Sequence, residues 1–598
     1  MKNYRVADRV AEILVNFGIE HVFMVTGGGA MHLNDGLSRN NKLKIINFHH
    51  EQACSMAADG YARLCGKIAC VNVTTGPGGI NAINGVFGAY TDSIPMVIIS
   101  GQVKKETLNP INSQLRQLGD QENDIVSMVK KITKFSYILK NPNLTDSVLE
   151  YALNLATTGR PGPVWIDIPI DIQGAIYNKG TQVTFYRKLP NPTKPSNLSK
   201  DLDNLISLMK ASKRPAILVG GGIRASNAHN EFIEFINKTS IPVLTAWNAH
   251  DVIHDNHKNY CGRPGTIGNR FGNFVAENCD LLIILGSRLN IRQIGYNFRE
   301  FSKNSRKVMV DIDKDELNKK TLKIEFKLNY DLKQFLHELN KKISLMDSES
   351  HRKYLKWCKK LITQFPVFKP EHAESKKINP YHFVNELFFQ LKKNKIVVTS
   401  DGTAVVTTFQ GAKLKSGQRL FSNSGSASMG FGLPAAIGAS FANNKSEVIC
   451  IEGDGSLQMN VQELATVGFN KLPLKIFVFC NEGYHSIRQT QTKYFPDNLI
   501  GCGPESGLTF PNLKYIAKAY NIKYSRIENS NKLKNQIKLI LSMNKPVICE
   551  VILDKNQEFE PKAASKLNAD GTMKSAPLYD LSPFLDEKVI DEIINFQN

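Results

Sequence analysis

EVICIEGDGSLQMNVQELATV, residues Glu447–Val467, holds the clearest fold signal in the chain. EVICIE is a short apolar, β-branched run of strand length, GDG breaks it with a sharp turn, and the residues beyond space their apolar side chains as an amphipathic helix starting near Val461. Strand, turn and helix in that order put Asp454 at the carboxyl end of a strand, where open α/β sheets bind ligands. Gly453 and Gly455 let the backbone approach a bulky anion, and Asp454 offers the hard oxygen that magnesium prefers. A second strand-like run, LKIFVFCN, ends at Asn481, 27 positions after Asp454. Adjacent strand ends of a parallel sheet can bring the two side chains together, with Asn481 as a neutral oxygen ligand and the Gly483 carbonyl as a third. A lone GDG is an ordinary turn, but one followed at this distance by an asparagine-terminated strand is far more specific.

The same alternation extends in both directions. Upstream, helical spacing from Val6 to Phe17 leads into HVFMVT, IACVNVTT, PMVIIS and PVWIDIP, each separated by a helix-like stretch. LPNPTKPSNLSK, from Leu189, breaks the pattern and reads as a linker. PAILVGGG, DLLIILGS and KVMVDID make a central block that fades in the charged stretch from Lys341 to Lys360; KIVVTSDGTAV and KPVICEVIL flank the opening stretch in a third. The expected fold class is α/β, three parallel-sheet α/β domains at residues 1–180, 190–345 and 365–555, with a polar tail or lid at 556–598. The first and third blocks read as two copies of one fold.

Composition narrows the function classes. Across 598 residues, 42% apolar and 22% charged side chains describe a globular chain. A formal charge of +20 could mark a nucleic-acid binder, but the lysines and arginines are dispersed, without interleaved aromatic stacking platforms. No nucleic-acid partner is expected. The ten cysteines contain no CxxC pair, which favours reduced, buried thiols. The N-terminus MKNYRVADRVAEIL is helical in period rather than a signal peptide, and no apolar run has membrane-spanning length, so a soluble cytoplasmic protein without a membrane partner is expected.

With GDGS and Asn481 in place, the chain resembles the thiamine-diphosphate family that includes acetohydroxyacid synthases, pyruvate oxidases and benzoylformate decarboxylase, over nearly its whole length. The family motif ends in two asparagines; this chain has Cys480 and Asn481, keeping the one that would be the ligand. The resemblance implies thiamine diphosphate and Mg2+ as cofactors, with Asp454, Asn481 and the Gly483 carbonyl as metal ligands and Gly402, Thr403, Gly453, Gly455 and Ser456 around the diphosphate. Glu51, in FHHEQACSMAADGYARLCGK, matches the glutamate that hydrogen-bonds the aminopyrimidine N1′ and helps to generate the carbanion at thiazolium C2. That role calls for apolar surroundings that raise its pKa. TTGPGGINAINGVFGAYTDSIPM repeats the family's GPG-x-x-N pattern, placing Pro77 and Asn81 beside the pyrimidine. SGSASMGFGLPAAIGAS is similar to the segment that bends the cofactor, with Met429 as wedge and the Ala427 carbonyl accepting from the 4′-amino group. Gln121, in LGDQEND, matches the segment that approaches the thiazolium. Because the first and third domains of such enzymes pair across chains, a homodimer or homotetramer is implied, and a small regulatory subunit is compatible with the family.

For the substrate, the resemblance points to Gly28 and Gly29 in VTGGGAMHLND, to His485, and to Arg292 in GSRLNIRQIGYNF. His32, His49 and His50 are further candidate proton carriers. PAILVGGGIRAS and the Arg292 segment are similar to those that hold a flavin, which leaves FAD open as an added cofactor, although a bare GGG is equally a strand-to-helix turn. Two departures bear on the acceptor: DGTAV, Asp401–Val405, replaces a GQHQ-like segment, and Thr490 stands where the synthases have a tryptophan selecting the second 2-oxo acid. The leading expectation is acetolactate synthase-like: decarboxylation of a 2-oxo acid, pyruvate first among them, and transfer of the acyl group to an acceptor carbonyl, as in branched-chain amino acid biosynthesis. A nucleotide-linked keto sugar is the alternative acceptor, with Lys562 and Ser565 of the tail as contacts, and a non-catalytic scaffold is the alternative of another class.

Overall fold

A computed structural model describes residues 4–110, 113–189, 197–567, 573–594 and 596. Most of the linker expected from Leu189 and part of the tail motif FEPKAASKLNADG fall outside these residues.

Three parallel sheets form, each from the runs with the strongest strand character. The first holds β1 (His21–Met24), β2 (Lys44–Asn47), β3 (Ala69–Val73), β4 (Met96–Gln102), β5 (Phe135–Ile138) and β6 (Pro163–Pro169). The central sheet holds β7 (Pro215–Val219), β8 (Val243–Thr245), β9 (Leu281–Leu285), β10 (Arg306–Val310) and β11 (Phe326–Leu328). The third holds β12 (Ile396–Thr399), β13 (Arg419–Phe421), β14 (Val448–Gly453), β15 (Lys475–Cys480), β16 (Lys523–Ile527) and β17 (Val547–Ile552). Strand order is β2-β1-β3-β4-β6-β5 in the first sheet and β13-β12-β14-β15-β17-β16 in the third. Counted from its own first strand, each sheet runs second, first, third, fourth, sixth, fifth, so the two outer blocks are copies of one topology. Every residue of β3, β4, β6, β7 and β9 is buried, as parallel strands covered by helices on both faces require.

The outer domains pack through one helix from each, Glu51–Cys65 and Gly432–Ala442. Both carry small residues along the contact: Ala57, Ala58, Ala435, Ala436 and Ala439 share one core. Gly60 lies against the Ala435 backbone and Gly438 against that of Ala57, an approach that leaves no room for a side chain at either glycine.

Two features differ from the sequence reading. The helix after GDG begins at Asp454 itself, runs only to Gln458, and gives way to a 3-10 turn at Val461–Glu463 and a second helix at Leu464–Asn470. The break falls at Asn460, which leaves helical φ at −141° and turns its amide to donate to the Gly430 carbonyl at 2.8 Å. The charged stretch at Lys341–Lys360 contains most of a helix, Glu349–Gln364, whose Tyr354, Cys358 and Leu361 join the central core together with Leu578, Leu581 and Ile593 of the tail. Lys353, Lys356 and Lys360 sit on the helix's outer face, so charge masks its periodicity. No helix of the described residues is long and apolar enough to cross a membrane.

Candidate active site

β14 and β15 are neighbours, in register from Ile449–Lys475 to Gly453–Phe479, so the residues after their ends meet. Asp454 Oδ2 accepts the backbone amides of Asn481 at 3.1 Å and Gly483 at 3.4 Å, and Oδ1 accepts that of Gly455 at 2.8 Å. Burial pushes the Asp454 carboxyl up to about 6 despite those amide donors. Asn481 Nδ2 donates to Thr403 Oγ1 at 3.0 Å, which fixes the amide's orientation and leaves its oxygen able to serve as a ligand. Thr403 opens the helix Thr403–Gly411, capped by Gly402 at φ 67°. Ser456 Oγ accepts from the Gly430 amide at 2.8 Å and pairs with Ser400, tying the turn after β14 to the Ala427–Gly430 loop. Among the described residues no group of three or more His, Cys, Asp and Glu side chains could hold a metal. One carboxylate with neutral oxygens, completed by a ligand's phosphates and water, is the donor set of a magnesium–diphosphate site.

Ala427 holds φ 55°, a strained value for a residue with a side chain, and its amide donates to the Asn423 carbonyl at 2.7 Å. Met429 follows two residues on, half-buried. Glu452, which no sequence motif marks, lies fully buried below this loop, accepts the Leu433 amide at 2.8 Å, and is pushed up to about 7 by burial.

A second group gathers in the first domain. Glu51 opens its helix and is 8% exposed; its Oε2 accepts from Asn81 Nδ2 at 3.0 Å, while Oε1 lies against Gly78. Pro77 opens the helix Pro77–Asp92 that carries Asn81. Gly76, at φ 65°, lies directly under the Gln121 carbonyl, so only glycine fits there in both conformation and space. Gln121 itself holds φ 62° and is exposed. Gly29 donates its amide to Thr74 Oγ1 at 3.1 Å, bringing the Gly28–Gly29 loop to the same strand ends. Glu51, Pro77, Asn81, Gln121, Gly28 and Gly29 therefore form one cluster.

The two groups approach through Ser428, whose hydroxyl donates to Asn84 Oδ1 at 2.7 Å, and through Glu463, which accepts the His49 amide at 3.1 Å. Among the described residues no hydrogen bond joins Glu51 to Asp454 or to the Ala427–Met429 loop. His50 caps the Glu51 helix by accepting from the Gln52 amide, and His32 faces Arg5. His485 is buried, its ring 2.8 Å from the Gln557 carbonyl, and desolvation holds its pKa down. Thr490 is exposed on the helix His485–Tyr494, bonded to the Ser486 carbonyl. Arg292 is exposed, with its guanidinium 5.7 Å over the Trp247 ring.

A cavity of about 470 Å³ opens between the central and outer domains, lined by Gly220–Gly222, Arg224, Trp247, Arg288 and Asp311 among others. Trp247 Nε1 is a buried donor there without a hydrogen-bond partner, while Arg224 is engaged by Asp251, whose carboxylate lies 3.6 Å from its Nε and whose carbonyl accepts from its guanidinium at 2.6 Å. Arg292 is not itself in the lining but sits at the cavity's edge, over the Trp247 ring and between the lining residues Asn290 and Gln293.

Three family descriptions match the chain: thiamine pyrophosphate enzyme, N-terminal TPP binding domain, at residues 4–128; its central domain at 202–339; and its C-terminal TPP binding domain at 401–551. The acetolactate synthase large subunit of Cyanidium caldarium is 30% identical over 92% of this chain and 94% of its own. The acetolactate synthase isozyme 1 large subunit of Escherichia coli is 30% identical over 94% and 96%. The chloroplastic acetolactate synthase of Arabidopsis thaliana is 31% identical over 94% and 83%.

Proposed function

The chain belongs to the acetolactate synthase-like thiamine pyrophosphate enzymes, and on that premise we propose that it decarboxylates pyruvate and joins the two-carbon acyl fragment to a second 2-oxo acid, giving acetolactate when that acid is also pyruvate. Thiamine diphosphate, when bound, supplies the nucleophilic carbon and the electron sink. The protein's own groups do the rest. Asp454 and Asn481, with the Gly483 carbonyl, would hold Mg2+ for the diphosphate, and Thr403, by accepting from the Asn481 Nδ2, would keep the amide oxygen turned toward it. Glu51 would hold and move a proton at the pyrimidine N1′ through Oε1, because Oε2 is taken by Asn81. With the cofactor bound, the carbonyl of the left-handed Ala427 would accept from the 4′-amino group, Met429 would support the rings from below, and Gln121, also left-handed, would lie on the thiazolium side. Gly28 and Gly29 leave room for the small acyl group, while Arg292, His485 and Thr490 are the acceptor side.

The observation that carries this reading is the chain Asp454–Asn481–Thr403 at adjacent strand ends. Calorimetric titration with thiamine diphosphate tests it: binding should need Mg2+ and be lost in Asp454→Ala.

On the same reading the active unit is at least a homodimer. Ile80, Phe87 and Tyr90 are 44%, 41% and 40% exposed on the helix that carries Asn81, an apolar face beside the Glu51 cluster. A second copy covering it would bring its own diphosphate group to Glu51. FAD would fit the central cavity, whose wall carries the Gly220–Gly222 turn and the buried Trp247 indole donor, which has no hydrogen-bond partner. A cytoplasmic location fits ten cysteines that are all free, and a small regulatory subunit fits relatives named as large subunits.

A further inference from the structure

The end of β4 carries polar residues that no role above uses. Ser100, Gly101 and Gln102 close an otherwise apolar strand, and all three are buried. Ser100 donates to Asp167 Oδ1 at 2.5 Å and accepts from the Trp165 indole at 2.8 Å. Gln102 Nε2 is shared between Asp167 Oδ2 at 3.0 Å and the Asn123 carbonyl at 2.9 Å, while its Oε1 accepts the Val103 amide at 2.9 Å. Each polar atom of the Gln102 amide is thus committed within the protein.

Asn123 lies two residues beyond Gln121. The loop between them is short and is also held at Glu122, whose carboxylate accepts the amides of Asn109, Leu118 and Gly119 and whose carbonyl accepts from Gln117 at 2.9 Å. The Gln121 side chain has no hydrogen bond to any described residue, so its direction is set by its backbone, held left-handed at φ 62° against Gly76. One residue before Gln102, Gly101 lies directly under the Gly29 carbonyl. The end of β4 therefore supports both loops assigned above to the reacting centre.

We propose that Gln102, backed by the Asp167 carboxyl, is a positioning residue that fixes the Gln121 loop over the thiazolium for the steps that follow proton transfer at Glu51. The inference rests on the role proposed for Gln121. Asp167 is a firm anchor for Gln102 because it is wholly buried, desolvation raises it to about 7, and its two oxygens accept from Ser100 and Gln102. A one-ångström error near a reacting centre can cost as much as about a hundredfold in rate.

The test uses the full chain with thiamine diphosphate, Mg2+ and pyruvate, and compares Gln102→Leu, Gln121→Ala and the double variant. Three quantities are read: thiamine diphosphate affinity by fluorescence, hydrogen–deuterium exchange at thiazolium C2 by NMR, and kcat and KM for pyruvate. Gln102→Leu should keep affinity and exchange within about threefold of wild type while kcat falls at least about tenfold, and the double variant should be no slower than the slower single. Gln102→Asn, which keeps an amide but withdraws it by one methylene, should show the same split with less effect on thermal stability. Unchanged kcat in both Gln102 variants, losses that multiply in the double variant, or loss of exchange together with kcat would each overturn the proposal. Wild-type protein lacking C2 exchange would instead overturn the thiamine-diphosphate reading itself, so the two failures are distinct.

Discussion

The Asn481 amide donates to the Asp454 carboxylate at 3.1 Å, from the end of one strand to the end of its neighbour. The contact closes a loop of 27 residues into a single ligand pair, and Thr403 then fixes which end of the Asn481 side chain faces outward.

Because burial raises Asp454 to about 6 from 3.8, its charge is costly in the metal-free chain at pH 8, by up to about 3 kcal/mol, and the cost disappears as pH falls through the folded value. The metal-free protein should therefore gain this stability mainly as pH falls from about 6 toward 4, and the rise in Tm from Mg2+ with thiamine diphosphate should shrink over the same range. Asp454→Asn should abolish that ligand-induced rise without lowering the metal-free Tm at pH 8. Scanning calorimetry across pH reads both effects.

Glu51→Gln keeps the size of the side chain and its contact with Asn81 but removes the proton acceptor. Exchange at thiazolium C2 and kcat should fall together, by about 10²- to 10⁴-fold, with thiamine diphosphate affinity little changed. Retained turnover would remove Glu51 from the mechanism.

Gly438 touches the Ala57 backbone across the contact between the outer domains. Gly438→Leu should destabilise the chain by about 1–3 kcal/mol in urea unfolding through overpacking at that seam.

In the central cavity Gly221 has open space where a side chain would project. Gly221→Leu should fold with wild-type Tm yet fill the cavity. Wild-type protein should purify with flavin absorbance and the variant without it; equal absorbance in both would place the flavin elsewhere.

Much of the fold is legible in the sequence because parallel strands buried on both faces are continuous apolar runs, and because GDG and Asn481 punctuate two of them. Glu51, Asn81 and Gln121 stand out through motifs and then meet in space. Gln102 escapes notice because a polar residue closing a strand looks like the start of a loop, and its partner Asp167 lies on β6, 65 positions away. Periodicity misplaces the helix starting at Asp454 because it cannot register a break made by one asparagine, Asn460, bonding to Gly430 across a chain reversal. The central cavity is only hinted at by three glycines, since its walls come from all three domains.

Product analysis of purified protein, incubated with pyruvate as sole substrate, thiamine diphosphate and Mg2+, bears on the whole assignment at once. Steady formation of acetolactate with one carbon dioxide per product, dependent on both cofactors and absent in Glu51→Gln, is the predicted result. Cofactor binding without acetolactate, or carbon dioxide release that requires a sugar acceptor, would contradict it.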